Sequence, residues 1–384
     1  MDKNFHYGLP FLSKKGYCSY IGLILCGVKG GSKMDNYTIE ARKTYSKLVK
    51  QSRQNAKQKE CLWCNKTITR FCNSHSVPEF VLKNISLNGE VDFFNAITKI
   101  PLLDDDKGVG EAGTFHLICK ECDGIIFQDY ENPNNLVVEP TEKMLRQIAL
   151  KNILLYLDKR FYEIELYKTL EATYSKPFPY QAKEEVNDLD VRDFLWDYHR
   201  IKDLIENDNK EEKFKMIFWK KLPYKVPMAF QGPITILGDL KGNIVENIYD
   251  KSEEKIIRHL HICVFPLNTE SVVFAFYHID DCQYDNFAKQ LQELPNDELV
   301  DLIAYIIFQN SEDMLISKKI PHKTFFYKKI EEVFSETTEI YSYTLDGVEL
   351  QMKQKLMALK NRRKDMPKIL SKKYAVKENI ERES

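Results

Sequence analysis

The sequence predicts an α+β protein in which a small cysteine-organised module leads, through a helical region, into an antiparallel sheet covered by helices. Three observations predict it. Two Cys-x-x-Cys pairs, Cys61-Leu-Trp-Cys64 and Cys119-Lys-Glu-Cys122, mark the module. From Thr141 to Tyr174 the apolar residues recur mostly at spacings of three and four, the helical period. Beyond Trp219 the period changes to two, as in strands.

The chain has 384 residues, enough for two or three folded units, with the apolar and charged fractions of a water-soluble globular protein. A formal net charge of -1 excludes a polyelectrolyte that coats nucleic acid, so any basic surface is local. Of nine cysteines, four form the pairs, and Cys18, Cys26, Cys72, Cys263 and Cys282 have no disulfide-like spacing, which points to a reducing cytoplasm. The apolar run from Tyr20 to Val28 is too short for a membrane span and lacks the cleavage signature of an export signal. Lys29-Gly30-Gly31 can be encoded by a purine-rich ribosome-binding stretch just before Met34, so residues 1–33 are expected to be a translated leader.

Residues 34–60 read as a basic helix. Arg42, Lys43, Lys47, Lys50, Arg53, Lys57 and Lys59 face a thin apolar stripe of Ile39, Tyr45, Leu48 and Val49. Such a helix is either a solvated face or a cradle for phosphates.

The module spans 61–135. It reads as a tight turn at Cys61–Cys64, a short strand from Thr67 to Phe71, an amphipathic segment starting at Pro78, a loop-rich stretch from Leu87 to Thr114, and a helix from Asp123 with Phe127 and Tyr130 inward. Each Cys-x-x-Cys turn aims two sulfurs at one point, and two turns close a tetrahedral shell. Cys61, Cys64, Cys119 and Cys122 are therefore expected to hold a structural Zn²⁺ with no open position.

Residues 136–210 form the helical region: one long helix, or two with a break near Asp158, starting at Thr141 as N-cap, then a polar linker from Lys183 to Asp190, then a helix from Val191 to Glu206. Residues 211–350 give the sheet. Ile234–Leu237 with Ile244–Ile248, and His259–Phe265 with Val272–His278, read as two hairpins, followed by helices at Tyr284–Leu294 and Asp297–Gln309, the latter with Asn296 as cap. His259 and His261 share a strand face. Residues 351–384 form a basic tail, frayed or disordered.

The pattern Cys61-x-x-Cys64, Ser74-His75-Ser76-Val77-Pro78 with Phe80, Ile118-Cys119-Lys-Glu-Cys122-Asp123 and Tyr130-Glu131 resembles bacterial HNH-type, or ββα-metal, zinc proteins over about residues 40–170. The resemblance implies a metal-dependent endonuclease acting on DNA or RNA, in bacterial defence or mobile elements. His75 would be the general base and Asp123 the ligand of a catalytic Mg²⁺ or Mn²⁺. Where the family often has an acid before this histidine, the chain has Ser74, and the orienting Asn aligns near Thr114 or His116. Carboxylates from Asp129, Glu131 or the Asp104–Asp106 run are the substitutes in view. The competing expectation is a non-catalytic zinc module that binds nucleic acid or protein, with His75 bonded to a backbone carbonyl and the C-terminal unit as the partner surface.

Overall fold

Strands Leu260–Pro266 and Ser271–His278 are buried along their whole length, because the alternating side chains of each enter two different cores. Val272, Phe274 and Phe276 pack with one set of helices, and Val273, Ala275 and Tyr277 with another. The sheet is thus an internal layer between helices.

The structure is a computed structural model. It describes residues 36–68, 71–95, 106–173, 180–207, 211–250, 252–311, 313–320, 328–329, 349–351, 353–354 and 366–377. The expected leader, with Cys18, Cys26 and the run from Tyr20 to Val28, lies outside them, as do Asp104 and Asp105. The elements in order are α1 (Asn36–Asn55), β1 (Ser74–His75), α2 (Glu79–Ile85), β2 (Glu90–Asn95), β3 (Asp106–Gly108), β4 (Thr114–Phe115), α3 (Lys120–Ile126), α4 (Glu142–Thr173), α5 (Tyr180–Glu206), β5 (Phe214–Leu222), β6 (Met228–Ile234), β7 (Leu260–Pro266), β8 (Ser271–His278), α6 (Asp285–Gln292), α7 (Asn296–Asn310) and β9 (Asp313–Ile316). A seven-stranded antiparallel sheet runs β3-β2-β9-β6-β7-β8-β5, and β1 pairs with β4 in a separate two-stranded ladder.

Helices α4 and α5 cover one face of the large sheet and share a core with the cysteine module, while α6 and α7 cover the other face. Strands β2 and β3 come from within 61–135, so the module and the C-terminal half are joined through one sheet. Among the described residues no helix is long and apolar enough to cross a membrane.

The α+β class, the β7–β8 hairpin, the covering helices and the long helix match the expectation. Thr141 caps α4, its hydroxyl accepting the Met144 N–H at 3.4 Å, and α4 runs through Asp158 unbroken. Five expectations are corrected. The stretch 87–114 holds β2 and β3, because β2 finds its partner β9 more than two hundred residues away. The expected linker 183–190 is helical: Asn187 and Asp190 are buried in α5, and Asp190 takes the Arg160 guanidinium of α4 at 3.2 Å. The hairpin expected at 234–248 is a loop with one bridge, Gly238–Ile244. There Asp239 accepts the backbone N–H groups of Lys241 and Asn243 at 2.9 and 2.8 Å, and β6 ends at Ile234 after pairing with β7 and β9. Asn296 starts α7 without a side-chain cap; Pro295 takes the cap position. In the tail, 366–377 packs against the sheet half, with Ile369 and Leu370 fully buried and the Val376 N–H donating to Lys225 O at 2.8 Å.

A candidate metal centre and its neighbours

Knuckle geometry begins with the backbone. Asn65 sits at φ +57°, and its N–H donates to Cys61 O at 2.8 Å while Cys61 N–H donates to Lys66 O at 2.9 Å, which folds Cys61 and Cys64 onto one side of the turn. The Leu62 N–H reaches Leu117 O at 2.9 Å, and a bridge between Phe71 and Cys119 ties the second knuckle to the first. Cys119 precedes α3 and Cys122 lies in its first turn.

The four sulfurs of Cys61, Cys64, Cys119 and Cys122 all lie within 4.8 Å of one another, with Cys64 and Cys119 at 4.0 Å. Tetrahedral zinc–thiolate bonds of about 2.3 Å place sulfurs roughly 3.8 Å apart, so the cluster fits a zinc-binding motif. Burial and the neighbouring cysteines push the Cys122 thiol well up from its ordinary value, and a bound dication would reverse that by stabilising the thiolate. The Cys119 N–H points at Cys61 Sγ at 3.3 Å, a donor that favours thiolate charge. Such a shell would be closed and structural. Among the described residues this is the one group of His, Cys, Asp or Glu with metal-binding geometry.

Helix α5 clamps the first knuckle. Tyr198 Oη donates to Leu62 O and Lys202 Nζ to Trp63 O, each at 2.7 Å, and the Lys202 ammonium lies 5.1 Å from the centre of the Trp63 ring. A dication in a four-thiolate shell carries net negative charge, which a nearby ammonium offsets. Sequence reading missed both residues, since nothing local marks contacts across more than a hundred positions.

His75 lies on β1 opposite Thr114 of β4, and α3 follows, a strand–strand–helix unit stapled by the cysteines. The ladder continues past β1 where the Ser76 N–H donates to Gly113 O at 2.9 Å. Gly113 has φ +66°, and a Cβ there would meet Ser76 Oγ at 2.7 Å, so only glycine fits. His75 is half-buried, and its Nε2 lies 3.0 Å from Val109 O. A carbonyl can only accept, so Nε2 carries the proton and Nδ1 of the neutral ring keeps a free lone pair.

Asp123 has its partners elsewhere. One carboxylate oxygen accepts the Ser74 hydroxyl and lies 3.6 Å from the Lys151 ammonium; the other accepts the Cys72 thiol at 3.6 Å. Burial, with Asp123 adding to it, pushes Cys72 up to about 11 and keeps it a protonated donor. Ser74 and His75 are neighbours on an extended strand, so their side chains leave on opposite faces. The structure does not bring His75 and Asp123 into contact. Glu131 binds Lys151, and Asp129 binds Lys143 at 3.0 Å and Gln147 at 2.6 Å. Thr114 Oγ1 donates to Glu111 O at 3.1 Å, and His116 Nε2 to Asn73 Oδ1 at 2.9 Å. Burial, then the Lys57 charge, lowers His116.

On α1, Leu48 packs with Tyr162, Leu166 and Leu170 of α4, exposed Lys43, Lys47 and Lys50 fall on the opposite side at steps of three and four, and exposed Arg53 sets its guanidinium 5.5 Å from the centre of the Tyr162 ring. Lys57, also exposed, continues the line just past the helix. The Arg42 side chain lies outside the described residues. His259 and His261, on one strand face, are both engaged: His259 Nδ1 with Asp197 at 2.9 Å and His261 Nδ1 with Asn152 at 3.1 Å. No family model, no curated protein and no solved structure matches this chain.

Proposed function

We propose that this chain is a zinc-organised, nucleic-acid-directed protein of the HNH, or ββα, type, in which α1 holds phosphates and His75 is the general base of phosphodiester hydrolysis. The observation that carries the reading is the His75 ring. Its Nε2–H is bonded to Val109 O, the carbonyl contact that the non-catalytic expectation also names, and Nδ1, at the head of a strand–strand–helix unit, is left as the proton acceptor. In that role Nδ1 takes a proton from water as the water oxygen attacks phosphorus, and the bond from phosphorus to the leaving oxygen breaks with its electron pair going to that oxygen, which takes a proton from solvent. The basic line from Lys43 to Lys57 supports the phosphate contact, because each cation placed on a phosphate releases a counterion. The half of the chain carrying the large sheet is then the part that meets a partner or trigger.

A catalytic Mg²⁺ or Mn²⁺ does not fit the described residues. Asp123 is closed by Ser74, Cys72 and Lys151, and no second ligand group has the geometry. That same closure favours a second reading, binding without cleavage.

Zinc-loaded protein incubated with plasmid DNA and with RNA, beside His75→Ala, decides between them. Hydrolysis that falls about 10²- to 10⁴-fold in the variant supports the first reading, and equal cleavage by both proteins removes His75 from the chemistry. Salt-sensitive binding with no cleavage by either protein supports the second. In both readings, replacing Lys43, Lys47 and Lys50 with Ala lowers affinity at low salt and flattens the salt dependence by roughly 0.9 per lost phosphate contact.

A further inference from the structure

The acidic pocket beside the candidate zinc site already contains a cation. Lys151 lies on α4, and its side chain is completely shielded from solvent. Its ammonium is ion-paired with Glu131 and with Asp123 at 3.6 Å, and it sits 4.2 Å from the centre of the Phe127 ring and 5.6 Å from that of Tyr130. An ammonium held this far from water survives only where carboxylates compensate the lost hydration, and aromatic faces add to that compensation. The carboxylates have the reciprocal need: without Lys151, Asp123 and Glu131 would be two negative groups facing the one buried position that its ammonium holds.

We propose that Lys151 is the resident cation of the Asp123–Glu131 pocket, occupying the place at which an acid pair would otherwise bind a divalent metal ion. The module then needs zinc for its fold and no second metal. The inference concerns the same module as the proposed function and reads ion binding, so it is independent of whether His75 supports hydrolysis. Absence of cleavage would end the catalytic reading and leave this one standing.

The test uses the zinc-loaded full chain titrated with Mn²⁺, with the free aquo ion followed by electron paramagnetic resonance. Wild-type protein is expected to take up no Mn²⁺ that Asp123→Asn removes. Lys151→Ala, which empties the pocket of its cation, is expected to gain one Mn²⁺ per chain and to lose it again in Lys151→Ala/Asp123→Asn. Two results overturn the proposal: a wild-type Mn²⁺ site abolished by Asp123→Asn, or a folded, zinc-loaded Lys151→Ala protein that binds none. Where Lys151→Ala does not fold in zinc alone, Mn²⁺ or Mg²⁺ is expected to restore its fold by returning a cation to the two carboxylates, and failure of both ions to do so overturns it equally.

Discussion

The cysteine module and the large sheet solve the stability problem by different means. In the sheet, β7 and β8 bury side chains on both faces, and the helices that cover them supply two apolar layers. In the module the regular elements are short: β1 and β4 have two residues each and α3 has seven. Apolar residues such as Phe115, Leu117, Ile118 and Ile126 join them to the core under α4, and turns, four sulfurs and polar contacts among Ser74, Asp123, Lys151 and Glu131 add directional constraints. Burying apolar area stabilises without direction, whereas a metal shell and ion pairs are directional and fail together when one member is lost. Truncating one apolar side chain of the sheet should therefore weaken the fold by a graded amount, whereas losing one ligand of the module should dismantle its whole shell.

The largest expected effect breaks this comparison open. Cys64→Ser, or removal of zinc by a strong chelator, takes away an apparent stabilisation of about 10 to 16 kcal/mol. Hydrogen exchange should then lose protection across residues 61–135 and keep it in β7 and β8; equal loss in both would show one cooperative unit. Next comes Phe274→Ala, a fully buried ring in the core shared with α4. It should cost about 3 to 5 kcal/mol in denaturant unfolding with zinc content unchanged.

A smaller effect follows from the buried histidines. Burial lowers His278 to about 4 and His261 to about 3, from ordinary values near 6.5. The unfolded chain therefore binds these protons first as pH falls, so stability rises with pH and is lost progressively as pH falls from about 6.5 to about 3. His278→Gln should flatten part of that pH dependence, and an unchanged profile would mean that His278 titrates alike in the folded and unfolded states. The smallest effect joins the two regions. Tyr198→Phe removes the hydroxyl bond to Leu62 O, which should reduce stability by about 1 kcal/mol and speed zinc release to a chelator.

Much of the site was legible in advance because thiolate spacing is a local property. A Cys-x-x-Cys turn aims its sulfurs whatever surrounds it, and the four converge as the sequence implied. The Lys151 pocket left a weaker trace: this lysine falls between Ile148 and Leu155 on the apolar stripe of α4, and a charge on such a stripe needs buried partners. Which carboxylates those are depends on how α3 and the turn after it dock on α4, and no spacing encodes that. Asp123 reads as a free metal ligand in one dimension and is a satisfied acceptor in three.

Periodicity and spacing by themselves determined the α+β class, the long helix α4, the β7–β8 hairpin, the helices α6 and α7, and the four-sulfur cluster. Each rests on residues close together in the chain, where the period of an element or the reach of a turn fixes the geometry. Tertiary structure alone decided that β2 joins β9 across the molecule, that residues 183–190 are helix, that α5 clamps the first knuckle, and that His75 and Asp123 face different neighbours. Those outcomes depend on pairing distant segments, where the free energy comes from burial and hydrogen bonds made only after the chain has folded.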